Sequence, residues 1–107
     1  MAENVVNRIT WRRRGFRRKY VGTLAAGESS ILLTGRDRSG GVDVALTIPL
    51  AEVEGIHVSR SQDEALGGER SVVLELAESD PILIREVGAG PFNVHALARR
   101  LAAMAAH

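Results

Sequence analysis

The 107-residue sequence contains no cysteine, only four aromatic residues and no long apolar run. Without cysteine, disulfides and metal sites built on thiolates are excluded. Because no run has the length of a signal peptide or a membrane helix, we expect a cytoplasmic protein, in the cytosol or at the inner face of the membrane. A hydrophobic content of 45% nevertheless predicts one packed domain rather than a disordered chain.

Acidic residues are scarce in the first twenty positions. Seven basic residues stand there against one acidic residue, a net charge of +6, whereas the rest of the chain has seven basic and twelve acidic residues, a net charge of −5. Most of the positive charge lies in the stretch WRRRGFRRKY, residues 11–20. Such an asymmetry is typical of a charged arm, and we assign residues 1–18 to a basic N-terminal arm and residues 19–107 to the folded body.

Nine side chains of this stretch are candidate binding residues. The basic ones, which would contact an anionic partner, are Arg12, Arg13, Arg14, Arg17, Arg18 and Lys19. The aromatic ones, which would stack on a ligand or lie at a membrane interface, are Trp11, Phe16 and Tyr20. Each basic residue contributes about 1 kcal/mol near an anionic leaflet, so the stretch could hold a domain on a membrane. A nucleic acid is disfavoured, because the acidic body would repel a long polyanion. A solvated arm, or a juxtamembrane segment of a longer chain, explains the same residues.

Alternating apolar and polar residues predict an antiparallel sheet after residue 18. In VDVALTIPL, residues 42–50, every second side chain is large and apolar. Further strands are predicted over residues 19–26, 30–37, 54–60, 69–77 and 81–87, with a hairpin turn at RSGG, residues 38–41. Residues 4–11 fit an extra strand, and a short helix or a frayed terminus fits them nearly as well. The polar residues 61–68 predict a mobile loop.

The end of the chain has helical spacing. In VHALARRLAAMAA, residues 94–106, an apolar stripe is formed by Val94, Leu97, Leu101 and Met104. The predicted fold class is therefore mainly β with one C-terminal helix: a partly open antiparallel barrel of six or seven strands, capped by an amphipathic helix. Its predicted core is Leu24, Ile31, Leu33, Val44, Leu46, Ile48, Ile56, Val58, Val72, Leu74, Leu76, Ile82, Ile84, Leu97 and Leu101.

This order of elements resembles the pleckstrin-homology-like (PH-like) superfold, in particular its bacterial and GRAM-type members. The resemblance is carried by SSILLTGRDRSGGVDVALTIPL (29–50), IPLAEVEGIHVSR (48–60) and FNVHALARRL (92–101). It implies a module without catalytic activity that binds lipid headgroups, peptides or protein surfaces. In the lipid-binding members the basic residues lie in and beside the first hairpin, whereas here the basic run precedes the strand predicted to begin that hairpin.

A second resemblance is to PilZ-type β-barrels, which bind cyclic di-GMP. Their RxxxR element is matched by Arg13 and Arg17, or by Arg14 and Arg18. Their D/N-x-S-x-x-G element is matched imperfectly by DRSGGV, residues 37–42, in which the glycine comes one position early. This resemblance implies a cyclic dinucleotide held by arginines, which grip phosphates and stack on guanine.

The sequence contains no catalytic motif. His57, His95 and His107 lack the spacing of a metal site, and His57 is expected on the outer face of its strand. We therefore predict no enzyme, cofactor or metal, but an interaction module that docks to a protein partner or to an anionic membrane surface through its basic segment. The alternatives are a cyclic di-GMP receptor and a purely structural domain of a larger assembly. An exposed strand edge could also form a homo-oligomer.

Overall fold

The computed structural model describes residues 4–37, 40–66, 68–88 and 93–105. They form seven strands and one helix: β1 (Asn4–Arg13), β2 (Tyr20–Ala26), β3 (Ser30–Asp37), β4 (Asp43–Pro49), β5 (Val53–Val58), β6 (Val72–Leu76), β7 (Ile82–Glu86) and α1 (Asn93–Ala105). Short 3-10 turns lie at Leu50–Glu52 and Gln62–Glu64. The prediction of a mainly β fold with one C-terminal helix is confirmed.

The strands form a single antiparallel sheet in the order β4-β3-β2-β1-β7-β6-β5. Its edge strands, β4 and β5, are not hydrogen-bonded to each other, so the sheet is not closed. Successive hairpins connect β1, β2, β3 and β4, and further hairpins connect β5, β6 and β7. The two groups are joined because β1 pairs with both β2 and β7. The predicted barrel is thus a seven-stranded sheet that stays open between its two edges.

The N-terminal segment supplies the central strand of the sheet. Of the two conformations considered for it, the structure has the strand, and residues 4–13 of the predicted arm belong to the sheet. The pairing register shifts between Val6 and Ile9, and Arg8 between them has a φ of 59°. This bulge brings both Val6 and Ile9 into the core although they are three positions apart, so the strand does not show simple alternation.

The first hairpin of the fold is therefore β1–β2, and its loop spans residues 14–19. This corrects the expectation that the basic run precedes the first hairpin. The run ends β1, fills the loop and reaches the start of β2. The alternation in the sequence predicted that the first hairpin begins at β2 and not at β1, because the bulge in β1 interrupts the apolar pattern of that strand.

The main core lies between the sheet and α1. All four residues of the predicted helical stripe are buried, and the helix packs mainly against β5, β6 and β7. Of the predicted core residues, ten are buried and five are partly buried against the core, namely Val44, Leu46, Ile56, Val58 and Leu76. Within the described residues, no helix is both long and apolar enough to cross a membrane.

A smaller core lies on the opposite face of β6 and β7. Leu66, only 1% exposed, clusters there with Val73 and Leu83. Leu66 also forms an isolated bridge with Glu69, which follows the 3-10 turn at Gln62–Glu64. Within the described residues of 61–68, predicted to be a mobile loop, the structure has a 3-10 turn and one leucine that covers the outer face of the sheet.

Candidate functional site at the β1–β2 loop

The backbone of the β1–β2 loop is held at its base. The N–H of Arg14 donates to the carbonyl of Pro81 at 2.9 Å, and the N–H of Phe16 donates to the carbonyl of Arg13 at 3.0 Å. Gly15 between them has a φ of 88°, in the left-handed region that glycine adopts at little cost. The chain therefore turns sharply at Gly15 and presents the side chain of Phe16 outward.

Arg12, the first basic residue of the stretch, has a structural role. Its guanidinium donates to the carbonyl oxygens of Asp63 at 3.1 Å, Ala65 at 2.9 Å and Phe16 at 3.3 Å. These bonds join the β1–β2 loop to the segment that carries Leu66. Arg12 thus fixes the base of the loop, and both terminal nitrogens of its guanidinium already donate to backbone carbonyls.

Arg14 is also directed toward that segment. Its guanidinium pairs with Oε2 of Glu64 at 3.3 Å, and Oε1 of the same carboxylate accepts from the N–H of Arg60 at 3.2 Å. Glu64 is only 7% exposed, so this contact compensates a buried negative charge. Arg12 and Arg14, two of the six predicted anion-binding residues, are therefore tied to the segment that carries Leu66.

The remaining four basic side chains have few or no partners. Within the described part of the chain, the side chains of Arg13, Arg17 and Lys19 make no ion pair or hydrogen bond, and Arg17 and Lys19 are exposed. Arg18 lies 3.7 Å from a carboxylate oxygen of Asp37, with 70% of its side chain exposed. The free positive charge thus lies at the end of β1 and in the outer part of the loop.

The three aromatic residues lie in different environments. Phe16 is 54% exposed and lies among the free cations. Trp11 is 3% exposed, and its Nε1 donates to the carbonyl of Thr34 at 3.0 Å. The adjacent Gly35 leaves room for the indole, because a Cβ at that position would lie only 3.0 Å from Nε1. Trp11 is therefore a core residue, and its burial does not fit a position at a membrane interface; stacking on a ligand, the other role predicted for it, stays a prediction. Tyr20 is half-buried beside it, with ring centroids 4.7 Å apart.

A cleft of about 430 Å³ opens beside the loop. Its apolar walls include Trp11, Tyr20, Val44 and Leu46, and its basic side chains are Arg13, Arg17 and Arg18. Two strands separate β1 from β4 in the sheet, yet side chains from both line this cleft. The sheet is thus curved enough to form a concave surface, and its opening adjoins the free cations of the loop.

The arginines that match the RxxxR spacing are separated by this geometry. Arg13 and Arg17 both line the cleft, whereas Arg14 is directed to Glu64 on another side of the loop. Of the imperfect DRSGGV match, Asp37 is buried, and Arg38 and Ser39 lie outside the described residues. Only the pair Arg13 and Arg17 could therefore act together on one ligand in the cleft.

One group of described residues has the composition of a metal site. The donor atoms of His57, Glu64 and Glu75 lie within 4.8 Å of one another, with Nε2 of His57 3.8 Å from Oε1 of Glu75. The fold brings His57, expected at the surface, into a half-buried position near the two carboxylates. Both oxygens of Glu64 already have protein donors, which is sufficient to explain the burial of this carboxylate.

The acidic residues near the loop include one with a shifted pKa. The hydroxyl of Ser61 donates a hydrogen bond to the carboxylate of Asp63, and this bond holds the pKa of Asp63 below its ordinary value. The positive charges of Arg14 and Arg12 lower that pKa further. Asp63 is fully exposed, so the bond orders the surface of the segment that Arg12 anchors.

Sequence reasoning identified the basic and aromatic residues but missed their neighbours. Glu64 lies in the polar segment 61–68, for which the sequence indicated no buried carboxylate, and Val44 and Leu46 were predicted as core residues although they also line a cleft. Comparison with known protein families, with curated proteins and with solved structures finds no significant match. The function must therefore be inferred from the loop, the cleft and their charges.

Proposed function

We propose that this protein is a PH-like interaction module without catalytic activity, which docks on an anionic membrane surface through its β1–β2 loop. The observation that carries the proposal is the exposed ring of Phe16 among the unpaired side chains of Arg13, Arg17 and Lys19. An aromatic ring at headgroup depth and cations beside it are the two features that hold peripheral proteins on anionic lipid.

The basic side chains of residues 12–19 differ in their partners, and this difference supports the proposed function. Arg12 and Arg14 fix the base of the loop to the protein, and the outer cations remain free for a partner. The loop is thus held in one orientation before docking, which lowers the entropy cost of ordering it on the surface. Three free charges at about 1 kcal/mol each give weak, salt-dependent binding, typical of a reversible docking domain.

Several features support the PH-like assignment without depending on the ligand. They are the seven antiparallel strands in two hairpin-connected groups, the C-terminal helix packed on the last three strands, and a basic first hairpin. The corrected position of that hairpin removes the departure from the lipid-binding members noted from the sequence.

The proposal is tested by cosedimentation with vesicles of phosphatidylcholine alone and with added phosphatidylserine. The double variant Arg17→Gln/Lys19→Gln should weaken binding to the anionic vesicles tenfold or more, since it removes two charges of about 1 kcal/mol each. The matched control is Arg70→Gln/Arg99→Gln, which removes the same charge from exposed positions elsewhere and should bind nearly as wild type does. Phe16→Ala should weaken binding even at high salt, where the charges are screened.

Equal losses in the loop variant and the control would show that only net charge matters, and would contradict docking through the loop. Absence of wild-type binding to every vesicle would refute the membrane function. It would leave the loop as a surface for a protein partner, the other target that the sequence allowed.

A further inference from the structure

The cleft beside the loop has two chemically different parts. Its apolar part, called its floor below, includes Trp11, Tyr20, Val44 and Leu46, and its basic part is formed by Arg13 at the end of β1 and by Arg17 and Arg18 of the loop. A volume of about 430 Å³ lies within the range of roughly 300–1,000 Å³ typical of small-molecule sites. Val44 and Leu46 belong to edge strand β4 and are only partly buried, so apolar surface remains exposed to water at this point.

The charge of the cleft selects an anion. The side chains of Arg13 and Arg17 have no partner within the described residues, and Arg18 alone lies near a carboxylate, that of Asp37. A guanidinium presents a planar fork of donors that fits a carboxylate with two parallel hydrogen bonds. Two free guanidiniums beside an apolar floor therefore complement a molecule with one anionic end and one apolar end.

The hydrogen-bond donors and acceptors that line the cleft distinguish between such molecules. The side chains that line the cleft offer guanidinium donors and the hydroxyl of Tyr20, while the indole N–H of Trp11 is already bonded to Thr34. Among the described residues that line the cleft, none has a carboxylate or amide side chain to accept from the N–H groups of a guanine. A buried nucleobase would leave donors unpaired, which costs about 1–3 kcal/mol each, whereas an alkyl chain has no such groups.

From these observations we infer that the cleft binds a long-chain fatty acid anion, with its alkyl chain against Trp11 and Leu46 and its carboxylate held by Arg13 and Arg17. This goes beyond membrane docking, because the ligand is a single dissolved molecule in the concave face of the sheet. The two functions share Phe16, Arg13 and Arg17, which all line this cleft, whereas Lys19 lies outside it and belongs to membrane docking alone.

Trp11 provides a direct assay. It is the only tryptophan of the chain and it lines the cleft, so its fluorescence reports occupancy without a label. Titration with laurate below its micelle concentration should give a saturable change with one site per protein. Hexanoate should bind far more weakly, by about fourfold for each methylene that is no longer buried. Dodecyltrimethylammonium, with a similar chain and the opposite charge, should give no saturable change.

Variants separate the two parts of the cleft. Arg13→Gln/Arg17→Gln should weaken laurate binding tenfold or more, and Leu46→Glu should abolish it by placing a carboxylate on the apolar floor. The control Arg70→Gln/Arg99→Gln should bind laurate as wild type does. Circular dichroism identifies any variant that fails to fold, and the arginine pair lies outside the core, so that test stands even if the Leu46 variant unfolds.

Three outcomes would overturn the inference. They are no response to laurate, equal responses to laurate and to dodecyltrimethylammonium, and laurate binding that Arg13→Gln/Arg17→Gln leaves unchanged. The last would show that these arginines do not hold the carboxylate. None of these measurements uses vesicles, so a failure of the fatty acid inference can be distinguished from a failure of the membrane proposal.

Discussion

The two ends of the sheet differ in how many of their faces are covered. In β6 and β7, three consecutive residues of each strand are buried, because α1 covers one face and the segment around Leu66 covers the other. In β4 at the opposite edge, exposed and partly buried residues alternate, with only Ile48 fully buried. The covered end provides the core and the open end provides the cleft, so stability and ligand contact belong to different parts of one small sheet.

The same difference is visible in the strand sequences. VVLEL and ILIRE begin with unbroken apolar runs, as expected of strands enclosed on both faces, whereas DVALTIP alternates as a half-exposed strand does. The outer-face residues Val73 and Leu83 were therefore a signal that something covers them. Leu66, within an otherwise polar segment, is the residue that does so.

The largest expected effect compares one leucine from each end. Leu101→Ala should lower the free energy of unfolding by about 2–5 kcal/mol, because the side chain is fully buried between helix and sheet. Leu46→Ala should cost about 1 kcal/mol, since part of its side chain is already in water. Urea denaturation measures both. Equal losses would mean that the open end contributes to the core as much as the covered end.

A smaller effect concerns the segment around Leu66, which covers the outer face of β6 and β7. Arg12→Gln removes charged donors to Asp63 and Ala65, and should lower the free energy of unfolding by about 1–2 kcal/mol. Hydrogen exchange at the Leu66 amide, which donates to the Glu69 carbonyl, should become faster. The matched variant Arg17→Gln removes a partnerless arginine and should stay within about 0.5 kcal/mol of wild type. A similar loss in both would contradict the structural role of Arg12.

The smallest effect is electrostatic and concerns the same segment. Ser61→Ala removes the hydroxyl that mainly lowers the pKa of Asp63, so that pKa should rise toward its ordinary value in an NMR titration. A lowered folded-state pKa contributes stability above the unfolded-state pKa, and this is lost as pH falls through the folded-state pKa. The variant should therefore lose less stability on acidification than wild type does. An unchanged Asp63 titration would show that the hydrogen bond is not the main cause.

Periodicity predicted six strands and the helix within one to three residues of their ends, because alternation and helical spacing are local properties of the chain. The largest difference is at β6, which begins at Val72 and not at residue 69. It left β1 undecided, since the bulge around Arg8 interrupts the alternation between Val6 and Ile9. The composition of the candidate site could also be predicted, because charge and aromatic density are visible in the sequence. The roles of the individual residues could not.

The sequence by itself determined the mainly β fold, the amphipathic helix and the concentration of positive charge in residues 12–19. Only the tertiary structure decided which of those charges are free. Arg12 meets carbonyls about fifty positions away, Arg14 meets a buried carboxylate of the same distant segment, and Arg17 meets neither. Neighbouring arginines differ in this way because a side chain's partners depend on the fold that brings distant backbone and side chains within hydrogen-bond range.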